Sequence, residues 1–185
     1  MIWTDHFTEE SLQPAHWVFC NMTSPCTEVA KHVGDSVLAL PEHDRWNEGN
    51  CLLSRRFLQE TSCVQGTFTG WDREISGAAV GYYAGDGSFS NYVLLAATET
   101  HIELRVPSGG QNGDAFMPSQ PKWYIVAQTE WQPGFPVQLT LRRNGCAYRG
   151  EVNGRLCLEA DIPEIQGDAR ALFKALPWTN RLMPG

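Results

Sequence analysis

Positive charge is scarce in this sequence: 14 Lys and Arg face 21 Asp and Glu, a formal net charge of −7 over 185 residues. The basic residues are scattered, without a basic run or an arginine-rich helical stretch, so no nucleic-acid partner is expected. Long apolar runs are missing as well. The opening "MIWTDHFTEESLQPAHW" has neither a basic leader nor a hydrophobic stretch. It is expected to form the first strand and turn of the domain, with no membrane partner and, if Met1 is the native start, a cytoplasmic location. No Cys-x-x-Cys pair occurs, and His6, His16, His32, His43 and His101 show neither His-x-His nor His-x-x-x-His spacing, so no zinc site is expected. A Gly-x-Ser-x-Gly elbow and a phosphate loop are also absent.

Cysteine is present but unpatterned, at positions 20, 26, 51, 63, 146 and 157. A chain of this length buries a core without covalent staples, so reduced and mostly buried thiols are expected. The triplet Asn21–Thr23 matches a glycosylation acceptor, which has meaning only in a secreted protein.

The sequence is rich in short strand-like runs separated by breakers such as "VGDS", "PEHD", "AGDGS", "PSGGQNGD" and "QPGFP". Candidate strands lie at 2–7, 16–21, 27–32, 36–40, 50–56, 63–69, 74–83, 90–96, 101–106, 123–129, 137–143, 146–152 and 155–159. That density predicts one all-β domain over residues 1–185, a sandwich or barrel. No segment keeps a helical period over three turns; "AHWVFCN" and "DARALFKAL" are the two stretches that would suit a short helix. The segment 107–121, rich in Gly and polar residues, reads as a surface loop of the kind that borders binding sites.

Two Asn-Gly pairs, at 144–145 and 153–154, predict tight hairpin turns and a three-stranded meander. The register then pairs Arg143 with Cys146, Leu141 with Tyr148 and Leu139 with Gly150, and across the second turn Gly150 with Cys157. One face carries Val137, Leu139, Leu141, Tyr148, Val152 and Cys157; the other carries Gln138, Thr140, Arg142, Arg149 and Glu151. Cys146 and Cys157 are not partners in this register, which speaks against a disulfide between them. In "HIELRV", Ile102, Leu104 and Val106 point one way and His101, Glu103 and Arg105 the other, as the floor of a polar groove or as a solvated outer face.

"WTDHFTEESLQPAHWVF", "GAAVGYYAGDGSFSNYVLL…HIELRV", "VQLTLRRNGCAYRGEVNGR" and "ARALF" together resemble concanavalin A-like jelly-roll domains over nearly the whole chain. Relatives with that architecture include lectins, glucanases, polysaccharide lyases and accessory sandwich domains of xylosidases and arabinofuranosidases. The resemblance implies two curved antiparallel sheets with a ligand groove on the concave face, and it implies that "ARALF" leads into the final strand. Small residues such as Gly77, Ala78 and Gly81 would let such a sheet bend or another group come close. The resemblance also implies a structural calcium between an acid near the first strand, here Asp5, and one in the last; the tail "LPWTNRLMPG" supplies no such carboxylate. The glucanase pattern of three acids alternating along one strand is absent: "REISGAAV" offers Glu74 alone. The galectin sugar signature is absent too.

Three functions fit these residues. A carbohydrate-binding or glycoside-processing sandwich would use Trp71 and Glu74, an aromatic beside a carboxylate, with Tyr83, Asn91, Tyr92, Arg105 and Trp123 lining the groove. Trp46 is the best candidate for an exposed aromatic, and Trp123, Tyr124 and Trp131 bracket a late edge strand. A cofactor-independent isomerase or cyclase acting on a hydrophobic small molecule would use Tyr82, Glu103 and His101 as its acid–base groups. A ligand-free interaction sandwich, a homodimer included, is the third. No cofactor is expected beyond the calcium just described.

Overall fold

The structure, a computed structural model, describes residues 15–21, 32–34, 37–39, 50–70, 75–84, 92–107, 123–163 and 165–177. Among them the chain forms strands β1 (Trp17–Asn21), β2 (His32–Gly34), β3 (Val37–Ala39), β4 (Asn50–Leu58), β5 (Thr61–Phe68), β6 (Ile75–Tyr83) and β7 (Tyr92–Thr98). There follow β8 (His101–Pro107), β9 (Trp123–Glu130), β10 (Val137–Asn144), β11 (Ala147–Val152), β12 (Arg155–Asp161) and β13 (Ala169–Pro177), with no helix among the described residues. The expected strand at 2–7 lies outside them.

A seven-stranded antiparallel sheet in the order β1-β4-β13-β6-β7-β8-β9 stacks on a four-stranded sheet, β12-β11-β10-β5, while β2 and β3 pair with each other. The space between the two sheets is filled by Val80, Tyr82, Val93, Leu95, Ile102 and Leu104 from one side and by Val64, Leu139, Leu141 and Tyr148 from the other. The sheets come close where side chains are smallest. A Cβ on Gly150 of β11 would stand 2.6 Å from a methyl of Leu95. The strand density predicted a sandwich or barrel, and this is the jelly-roll sandwich that the resemblance implied.

Three local readings need correction. The segment "DARALFKAL" is not a helix but β13, lying between β4 and β6 inside the larger sheet. A strand buried on both faces has no wet side, so its hydropathy does not alternate and period two is hidden. "AHWVFCN" is likewise no helix but the edge strand β1, where a strand was expected at 16–21. The first hairpin is shifted by one residue. Asn144 pairs Ala147, Arg143 pairs Tyr148 and Leu141 pairs Gly150, so the loop is Gly145-Cys146, with Gly145 at φ 61° as the first central residue. The second turn is Asn153-Gly154 as expected, with φ values of 50° and 76°. Its register holds to Glu151 opposite Leu156, after which a bulge sets Gly150 against Leu158.

Arg143 shares its face of β10 with Leu139 and Leu141 and so lies in the sandwich interior. Its guanidinium donates to the carbonyls of Gly145 (3.0 Å), Gly167 (2.8 Å) and Ile165 (3.2 Å) and lies about equally near the rings of Tyr82 and Tyr148, at 5.9 and 6.0 Å. It ties the segment before β13 to the end of the meander. A further irregularity lies between β8 and β9. Leu104 pairs Ala127 but Arg105 pairs Ile125, so Val126 is an extra residue in β9, the last strand of the sheet.

Cys51, Cys63, Cys146 and Cys157 are free. Cys51 is buried, but Cys63 and Cys146 are exposed, so the expectation of mostly buried thiols does not hold for this set. No helix of the described residues is long and apolar enough to cross a membrane.

Candidate functional site

The middle strands of the larger sheet, β6, β7 and β13, are buried on both faces. The face turned away from the sandwich interior carries a second apolar cluster of Val18, Cys51, Leu53, Ala79, Tyr83, Tyr92, Leu94, Ala96, Leu172 and Leu176. Buried among the residues of this face are three charged side chains: Glu103, Arg105 and Lys174.

Pairing fixes how these residues line up, because directly opposed residues share a face. One row across the sheet reads Lys174–Ala79–Ala96–Glu103–Gln128, and the next reads Leu172–Gly81–Leu94–Arg105–Ile125. A third reads Phe57–Arg170–Tyr83–Tyr92. At the other end His101 stands opposite Glu130. Two alanines therefore separate Lys174 from Glu103, a span of roughly 14 Å for three strand intervals. The small residues of β6 are explained by the same pairing. A Cβ on Gly81 would collide with the Val93 carbonyl and stand 2.7 Å from Leu94 Cδ2.

Within the row set, Arg105 Nε donates to Glu103 Oε2 at 2.6 Å, both side chains about one-tenth exposed. Withdrawing two charges from water is costly unless they pair closely, and this pair does. The His101 ring is half-buried, its Nδ1 2.8 Å from Thr100 Oγ1.

The structure thus brings together His101, Glu103, Arg105, Tyr83 and Tyr92 on one face. Tyr82 is not with them. It lies on the opposite side of β6, fully buried in the sandwich interior, where its hydroxyl donates to the Leu141 carbonyl (3.2 Å) and stands 3.3 Å from Ser62 Oγ. Burial pushes the Tyr82 phenol well above its ordinary range, against a smaller opposing effect of the Ser62 hydrogen bond. The trio Tyr82, Glu103 and His101 is therefore split between the two sides of the sheet, as period two requires of neighbours 82 and 83. Trp123 is placed by register opposite Pro107 at the end of β9. Trp131 follows β9, and its indole N–H donates to the Thr98 carbonyl at 2.8 Å. Asp5, Trp46, Trp71, Glu74 and Asn91 lie outside the described residues. β13 carries no acidic residue to complete a calcium set with Asp5, and among the described residues no three His, Cys, Asp or Glu gather.

Sequence reasoning missed Lys174, Arg170 and Phe57. The signal was there for the first two: in "ARALFKAL" the charged residues Arg170 and Lys174 share one parity, and Ala169, Ala171 and Phe173 share the other.

Fold and face together define a concanavalin A-like jelly-roll sandwich. Solved structures bear out the class. The chain is similar to β-agarase A in complex with oligoagarose, with a TM-score of 0.59 at 12% identity over 91% of this chain and 77% of that one. It is similar to the catalytic domain of an endo-1,3-β-glucanase (laminarinase) from Thermotoga petrophila, with a TM-score of 0.56 at 10% identity, covering 95% and 86%. A lichenase from a mouse hindgut metagenome gives 0.54 at 10% identity, covering 96% and 91%. Likeness at this level of identity carries the fold and nothing finer. No protein-family model matches the chain, nor does any curated protein.

Proposed function

We propose that this chain binds carbohydrate on the outer face of its seven-stranded sheet. The observation that carries the reading is the set Glu103, Arg105 and Lys174, buried with Tyr83 and Tyr92 on the side that does not form the sandwich interior. A closed apolar cluster is more cheaply built without charges, so charges retained there point to a ligand with hydroxyl or charged groups. The buried rings of Tyr83 and Tyr92 pack on the same face and hold these polar groups in place. The jelly-roll neighbours that are named for agarose, laminarin or lichenan activity support the same direction.

Binding is favoured over glycoside hydrolysis. Hydrolysis needs two carboxylates astride the scissile bond, and among the described residues Glu103 is the one acid buried on this face, with its carboxylate held by Arg105. Affinity electrophoresis of the full chain through gels containing laminarin, lichenan, agarose and a set of acidic polysaccharides tests the reading. Retardation by at least one polymer, lost in Tyr83→Ala and Tyr92→Ala, is expected; free migration in every gel overturns it.

A second reading rests on the apolar middle of the same face, where Ala79 and Ala96 are inaccessible and Leu94 nearly so. That environment suits an isomerase or cyclase acting on a hydrophobic small molecule, with Glu103 and His101 as the acid–base groups on the correct side of the sheet. Thermal stabilisation by apolar small molecules, without any glycan retardation, would favour it.

A further inference from the structure

The row Phe57–Arg170–Tyr83–Tyr92 has a property that the other rows lack. Tyr83 and Tyr92 are buried, but Phe57 is 54% exposed, and the Arg170 guanidinium lies 4.9 Å from its ring centroid.

Arg170 is set apart from the paired arginines: among the described residues it is the one whose guanidinium lies over an exposed ring. Arg105, Arg142 and Arg149 each have a glutamate carboxylate at 2.6 Å, and Arg143 has three backbone carbonyls. Among the described residues Arg170 has the Phe57 ring and no carboxylate, in a chain whose acids outnumber its bases by 21 to 14. An acidic chain that leaves this guanidinium without an anion, and holds it against an exposed ring, has built half of a recognition pair. The missing half is an anion next to a flat apolar surface.

We propose that Phe57 and Arg170 form a subsite for an acidic sugar, one bearing a carboxylate or a sulfate, at one end of the proposed glycan-binding face. Phe57 stacks on the sugar ring, and Arg170 takes the anionic substituent with its planar fork, a geometry that suits both oxyanions. The cation–ring contact holds the guanidinium in place before the ligand arrives, which lowers the ordering cost of binding. The buried Tyr83, directly opposite Arg170, backs the subsite from within the sheet. This assignment rests on the carbohydrate-binding reading and adds the charge of the ligand.

Four polymers separate the two claims: polygalacturonate and the same polymer after carboxyl reduction, and κ-carrageenan and its desulfated form. Affinity electrophoresis of the full chain is run at one ionic strength, with circular dichroism and a melting curve for each variant. At least one acidic polymer is expected to bind about tenfold tighter than its neutral counterpart, the usual worth of a charge-assisted bidentate contact. Arg170→Gln is expected to bring the acidic polymer down to the level of its neutral counterpart. Arg170→Lys, which keeps the charge without the fork, recovers part of the preference. Phe57→Ala weakens both members of the pair. Equal binding of acidic and neutral polymers by the wild type overturns the acidic subsite and leaves the glycan face standing. A preference that survives in Arg170→Gln overturns the role of Arg170. Binding to none of the four, nor to any neutral β-glucan, overturns both claims.

Discussion

Arg105 is a buried cation whose Nε donates to the Glu103 carboxylate two residues back in the same strand. Removing the carboxylate leaves a guanidinium in a poor medium, and such losses cost more than the pair contributes when intact. Glu103→Gln is therefore expected to destabilise the fold by about 3 kcal/mol in urea titration, and Arg105→Met in the same chain is expected to restore part of it. The glycines give a sharper contrast. At Gly150 an added methyl meets the mobile end of Leu95, so Gly150→Ala is expected to cost about 1–3 kcal/mol by overpacking. At Gly81 the methyl meets the Val93 carbonyl of the neighbouring strand, which cannot rotate away. Gly81→Ala is expected to cost more than Gly150→Ala or to prevent folding, read by the same titration.

Tyr82 has a signature in pH. Its phenol is raised by burial, so the folded chain resists an ionisation that the unfolded chain undergoes near pH 10. The stability it confers is intact below that pH and is lost as pH rises from the unfolded value toward the folded one. The slope approaches about 1.4 kcal/mol per pH unit. Tyr82→Phe is expected to be less stable than wild type at pH 8 and to lose less on going to pH 11. A parallel decline in the two proteins would show that Tyr82 ionises freely.

Among the elements, the two hairpin turns of the meander isolate backbone cost from packing. Gly145 and Gly154 have φ of 61° and 76°, and a Cβ on either would meet nothing within 4 Å. Gly145→Ala and Gly154→Ala are each expected to cost about 1 kcal/mol, and Gly145→Asn much less, because Asn tolerates this region. A loss of 3 kcal/mol or more in chemical denaturation would reveal a contact that the geometry lacks. The meander also shows how far local sequence carries. Asn153-Gly154 was legible because both residues take positive φ, as a two-residue turn of that type demands. Asn144-Gly145 was misread by one position because Gly at the first central place selects a different turn, which the dipeptide alone does not reveal. Parity survived the slip, so the core residues Leu139, Leu141 and Tyr148 were named correctly although their partners were not. β13 was hidden for another reason: burial on both faces left only the shared parity of Arg170 and Lys174 to mark its period. With β13 went Arg170 and Lys174, whereas Glu103 and Arg105 stood out because "HIELRV" alternates cleanly. Phe57 falls one residue past the expected end of its strand.

At the level of the whole molecule, one sheet serves two interiors. β6, β7 and β13 contribute to the sandwich core with one set of side chains and to the outer cluster with the other. Neither cluster survives the loss of these strands, so unfolding is expected to be one transition, with urea midpoints from far-ultraviolet circular dichroism and from tryptophan fluorescence in agreement. Separated midpoints would mean that the outer cluster melts on the surviving sheet.

β9 closes the larger sheet with Tyr124, Ile125 and Val126 all exposed. A straight greasy ribbon at that margin would invite the same ribbon of another copy to zip onto its open amides, and then another. The surplus residue Val126 puckers the margin and spoils the spacing such zipping needs. A single uneven step in the chain thus keeps this border a hem and not a seam.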